Sequence, residues 1–109
     1  MICFWYFRIG QAHLLQFGID EAILWFEKAR SANPRLPFVR AFLASAYALK
    51  GGSERAAAEL AEARRLSGGG RFLSIAHSKT VFDFGVPKVR ALYETTFFAG
   101  LRKAGMPEE

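Results

Sequence analysis

Small and apolar side chains in this chain fall at helical spacings, in blocks separated by glycine and proline, and the blocks repeat. A shift of 34 residues brings Ile9 onto Leu43, Gly10 onto Ala44, His13 onto Tyr47 and Gly18 onto Gly52. The same shift brings Ala22 onto Ala56, Phe26 onto Leu60 and Ala29 onto Ala63. These positions agree in size and character without a gap, and self-similarity at a fixed period marks a repeat architecture. Each unit predicts two helices, at about residues 4–16 and 20–33 in the first and 37–50 and 53–66 in the second. Gly18 and Gly51-Gly52 break the chain between the helices of a pair, and Asp20 and Ser53 are placed to cap the second helices. Pro34 and Pro37 close the first unit, since proline cannot donate to the helix ladder and restricts the residue before it.

The repeated residue types have a mechanical meaning. Gly10, Ala22, Ala29, Ala44, Ala56 and Ala63 are small enough to let paired helices approach closely. Tyr6, Ile9, Phe26, Leu43, Tyr47 and Leu60 are the large side chains that fill the remaining space. The stretch Tyr6-x-x-Ile9-Gly10-x-x-His13, followed by Ala22-x-x-x-Phe26, Ala29 and Pro34, resembles the tetratricopeptide repeat (TPR), whose period is also 34. Leu43-Ala44-x-x-Tyr47 with Ala56-x-x-x-Leu60 and Ala63 is similar, but Arg40 stands where an aromatic is usual and Gly68 where proline is usual. The resemblance implies an all-α fold: antiparallel helical hairpins stacked as a short TPR solenoid, with repeats at residues 3–36 and 37–70.

Residues 71–109 do not continue the repeat, because Ser78 and Arg90 fall where a small glycine and a packing alanine are needed. Phe72, Ile75 and Ala76 suggest a short helix there. Val89, Leu92, Tyr93, Thr96, Phe97 and Leu101 form an apolar stripe at helical spacing, with Pro87 suited to the first turn and Gly105 and Pro107 as stop signals. The expectation is a C-terminal capping helical hairpin that closes the end of the solenoid, with Lys88, Arg90, Glu94, Arg102 and Lys103 outward. The segments Gly85-Val86-Pro87-Lys88-Val89-Arg90-Ala91-Leu92-Tyr93 and Phe98-Ala99-Gly100-Leu101-Arg102-Lys103 also resemble the C-terminal TPR region of rhizobial proteins of the class III adenylate/guanylate cyclase type. That resemblance implies a regulatory C-terminal region whose cyclase domain lies outside this chain; none of the metal-holding acidic residues of such a domain can be mapped here.

Composition narrows the function. The net charge is +5, but Arg55, Glu59, Glu62 and Arg65 alternate along one helical face, the pattern of a solvated face rather than a phosphate-tracking stripe, which argues against nucleic acid. The longest apolar run, Met1 to Phe7, is far short of the roughly 20 residues of a membrane span and lacks the flanks of a signal peptide. Cys3 is the single cysteine, so the chain reads as a cytoplasmic protein without a disulfide. His13 and His77 lie far apart with no ligands at metal spacing, no Gly-x-Ser-x-Gly occurs, and Gly68-Gly69-Gly70 is followed by Arg71-Phe72 rather than by a P-loop lysine. No catalytic, cofactor or metal site is expected.

What remains is binding. The first helices of such repeats line a concave face, on which helical projection places Phe4, Phe7, Gln11 and Leu14 beside Phe38, Ala41, Ser45 and Ala48. A groove with this lining suits an apolar or helical segment of a protein partner. Phe4-Trp5-Tyr6-Phe7 also puts aromatics on every side of the first helix, as expected if that helix is covered by a further repeat, by a partner or by a second copy.

Overall fold

A computed structural model describes residues 2–67 and 91–106. They form helices joined by short turns, with no strand among the described residues: α1 (Ile2–Leu15), α2 (Ile19–Ala32), α3 (Pro37–Lys50) and α4 (Ser53–Ser67), then a C-terminal helix. The C-terminal helix comprises helical residues 91–93, a π-wound turn at Glu94–Phe98 and α5 (Ala99–Lys103). The expected short helix around Phe72, and Val89, Pro87, Lys88 and Arg90, lie outside the described residues.

Consecutive helices pack on one another and run in opposite senses. Arg40 near the start of α3 reaches Glu59 in α4, whereas Tyr47 near its end meets Arg55. Lys50, at the end of α3, pairs with Asp20 at the start of α2. α1 and α3 instead run side by side in the same sense, with Phe4 stacked on Phe38 (5.9 Å) and Phe7 edge-on to Phe42 (5.0 Å). The small residues sit where the helices touch: Ala22, Ala29, Ala44, Ala56 and Ala63 are wholly buried. A Cβ on Gly10 would lie 2.6 Å from the Phe26 ring, so the glycine is what lets α1 and α2 approach around that side chain.

Helix ends differ from the sequence expectation in an instructive way. Asp20 and Ser53 do not cap; both lie inside their helices, and Gly18 and Gly52 supply the carbonyls that begin α2 and α4. α1 and α3 end in the same motif, in which Gly18 N donates to His13 O and Gly52 N to Tyr47 O. The left-handed residue of that motif is Gly51 (φ 96°) in α3 but Phe17 (φ 61°) in α1, not Gly18. α5 closes in the same way, with Gly105 at φ 106° and Met106 N donating to Leu101 O.

The C-terminal helix departs most from expectation. Its described part packs across α3, with its π turn reaching α1, rather than closing the end beside α4. Phe97 stacks on Phe42 at 3.9 Å, nearly parallel, a contact of about 0.5–1.5 kcal/mol beyond its buried area. Within the π turn Thr96 Oγ1 donates to Leu92 O (2.7 Å), and Ser45 Oγ in α3 donates to Phe97 O (2.8 Å) and Thr96 O (3.3 Å). The extra residue held by this wider turn brings adjacent Phe97 and Phe98 both into the core with Tyr93, Thr96 and Leu101, whereas Leu92, expected inward, is exposed.

Candidate functional site

The face assigned to a binding groove is already filled. Leu14, Ala41 and Ser45 are fully buried, Phe7 and Ala48 nearly so, and Gln11 Nε2 donates to Tyr93 Oη at 2.9 Å. Gly100 explains the fit, since a Cβ there would overlap Ser45 Oγ and the Ser45 carbonyl and lie 2.8 Å from its carbonyl carbon. Phe38 is half-buried between Phe4 and Phe7. Of the groove residues, Phe4 keeps the largest open surface, at 40% exposure.

A second polar region lies between the two helical pairs. Glu59 was expected on a solvated face; it is 7% exposed and accepts from both Arg40 Nη1 (2.8 Å) and Arg30 Nη1 (3.3 Å). The Arg40 guanidinium also donates to Pro34 O, which ties the inter-unit turn to α3. The exposed Glu62–Arg65 pair keeps the expected surface role. Tyr47 Oη donates to Glu27, and burial, followed by that hydrogen bond, pushes the phenol up to about 12. Arg55 covers its ring at 5.3 Å. Glu59 is shared by Arg30 and Arg40 and Glu27 accepts from Tyr47, so the network joins α2, α3 and α4. Among the described residues no group of three or more His, Cys, Asp or Glu is placed to hold a metal ion. None of their helices is long and apolar enough to cross a membrane.

The most exposed large apolar side chains among the described residues belong to the first pair and the turn between its helices. Trp5 is 69% exposed, Phe17 58% and Leu24 47%. Tyr6 packs on Trp25, and Lys28 Nζ lies 5.0 Å from the centre of the Trp25 ring. The aromatic run Phe4–Phe7 was the sequence signal for this surface; Phe17 was not anticipated, and only its register with Gly51 could have singled it out. The chain matches no protein-family model, no curated protein and no solved structure.

Proposed function

We infer that the chain is a non-catalytic protein–protein interaction module of the TPR kind, in which two helical hairpins stack and present α1 to a partner. The observation that carries this reading is the step between neighbours: Phe4 meets Phe38 and Phe7 meets Phe42, so α3 lies against α1 displaced by about one repeat. Trp5 on α1 is the most exposed large apolar residue among those described, and the partly exposed Phe4 stands next to it. With its inner face taken up by Tyr93, Phe97 and Leu101, the array binds through α1 and the adjoining edge of α2. An exposed tryptophan beside a phenylalanine is the type of anchor on which interface energies concentrate.

Proximity labelling from the chain in its own cells, then titration calorimetry with the captured protein, tests this. Trp5→Ala is expected to weaken binding at least about tenfold, a loss of about 1.4 kcal/mol, with helix content unchanged. Equal affinity of Trp5→Ala, Phe4→Ala and the parent chain rejects α1 as the binding surface.

A further inference from the structure

Where α2 meets the turn between α3 and α4, the fold leaves a cleft of about 570 Å³. Ile23 and Leu24 of α2 give it an apolar wall, and Tyr47, Gly51 and Gly52 line it from α3 and the turn. A Cβ on Gly51 would meet nothing within 4 Å, so the cleft stays open beside the turn. A smaller recess of about 170 Å³, lined by Arg30, Ala58 and Glu59, shares Glu27, Tyr47 and Arg55 with it. The larger volume falls within the range of about 300–1,000 Å³ in which small ligands are bound.

The charges around these volumes do not cancel. Lys50 is taken by Asp20. Glu59 is shared by Arg30 and Arg40, and Glu27 accepts from Tyr47 Oη. Arg55 has no carboxylate or other hydrogen-bond acceptor among the described residues; its guanidinium lies 5.3 Å from the centre of the Tyr47 ring. That contact holds the charge in place without neutralising it. Arg30, Arg40 and Arg55 thus stand against Glu27 and Glu59 alone, a surplus of one positive charge beside an apolar wall.

We propose that this cleft binds a small organic monocarboxylate with a short apolar body. The carboxylate accepts from the Arg55 guanidinium beside Tyr47, and the body lies along Ile23 and Leu24. A fork of N–H donors matches two carboxylate oxygens, and one negative charge balances the surplus. A phosphate is disfavoured, because its second charge meets Asp20, Glu27 and Glu59 around the same volumes. The site uses neither Phe4 nor Trp5, so it is separate from the partner-binding surface inferred above, and neither reading depends on the other.

Titration of the full chain with sodium hexanoate at constant ionic strength, followed by amide NMR shifts, tests the proposal. Saturable shifts are expected at Gly51, Gly52 and Arg55. Acetate, which lacks four methylene groups, is expected to bind at least about tenfold more weakly, and uncharged hexanamide likewise. Arg55→Gln should weaken hexanoate at least about tenfold, whereas Arg65→Gln, which removes an exposed α4 arginine already paired with Glu62, should leave it unchanged. Arg55 is exposed in the first turn of α4, so its loss is not a folding defect, and the unchanged spectrum of α1 and α3 verifies that. Leu24→Asn should bring hexanoate towards the affinity of acetate. Shifts that do not saturate or that fall elsewhere, equal affinity for hexanamide, or an equal loss in Arg55→Gln and Arg65→Gln overturns the proposal.

Discussion

Gly100→Ala measures how firmly the C-terminal helix is seated. The added Cβ overlaps the Ser45 hydroxyl and backbone carbonyl. The hydroxyl can rotate away, but a carbonyl in the middle of α3 cannot, so the C-terminal helix must lift. Overpacking of this kind costs about 1–3 kcal/mol. Lifting also weakens the Ser45–Phe97 hydrogen bond, worth about 0.5–1.5 kcal/mol net, and the Phe42–Phe97 stack, worth a similar amount. Alanine's better helix propensity returns about 0.5–1 kcal/mol. The expected net loss is about 2–4 kcal/mol by urea unfolding, or a melting temperature lower by roughly 10 °C or more. Gly105→Ala is the control: its Cβ meets open space, and it carries only the cost of φ 106°, about 1 kcal/mol. Adding Ser45→Ala to Gly100→Ala removes the hydroxyl overlap but not the carbonyl overlap, so the double variant stays well below the parent. A Gly100→Ala loss no larger than that of Gly105→Ala refutes the seating.

Gly10→Ala is expected to cost about 1–3 kcal/mol because the Phe26 ring, fully buried against Phe7 and Phe42, must yield; adding Phe26→Leu, which reproduces the Ala44/Leu60 pairing, is expected to recover part of it in a double-mutant cycle. Glu59→Ala leaves Arg30 and Arg40 facing each other without their shared acceptor, and about 2–4 kcal/mol of stability should disappear by chemical unfolding; a change within 0.5 kcal/mol, the usual range of surface substitutions, counts against the network. Tyr47 has a raised folded pKa, so its stabilising contribution is complete below its ordinary value of 10.0 and fades as pH climbs through about 12. Alkaline unfolding followed by phenolate absorbance should therefore show an extra loss in the parent across that window that Tyr47→Phe lacks.

The helical elements were legible because their cause is local. A spacing of three and four, a glycine after the last turn and a proline before the next helix act within a few residues, and α1 to α4 fall within two or three residues of the expected bounds. Caps were misplaced because Asp20 and Ser53 suit a cap by type, whereas the backbone turn that sets the cap was already fixed one or two residues earlier by Phe17-Gly18 and Gly51-Gly52. The C-terminal helix was legible as a helix but not in register. The expected stripe included Leu92 and left out Phe98, whereas Leu92 is exposed and Phe98, in the π turn, is buried. That turn depends on Thr96 bonding back to Leu92 and on a serine in α3, Ser45, far away in sequence. Its position on α3 was hidden for the same reason, since a stripe of apolar residues names no partner. The residues from Phe4 to Ala48 named for a groove do lie along α1 and α3, while the helix that packs over them could only be seen in three dimensions.

Comparison of the two units shows what the repeat holds constant. At the hairpin contact, glycine with phenylalanine in the first unit becomes alanine with leucine in the second, so the combined volume changes little although both residues differ. Near the open end of each hairpin, Tyr6 on Trp25 becomes Arg40 with Glu59, an aromatic pair exchanged for an ion pair at the same two positions. The first form is self-sufficient on a surface, because large rings bury area even when partly wet. The second needs shelter, and Arg30 from α2 and the Pro34 carbonyl supply it. Arg40 is therefore explained by the acceptors that Glu59 and the Pro34 carbonyl bring to it.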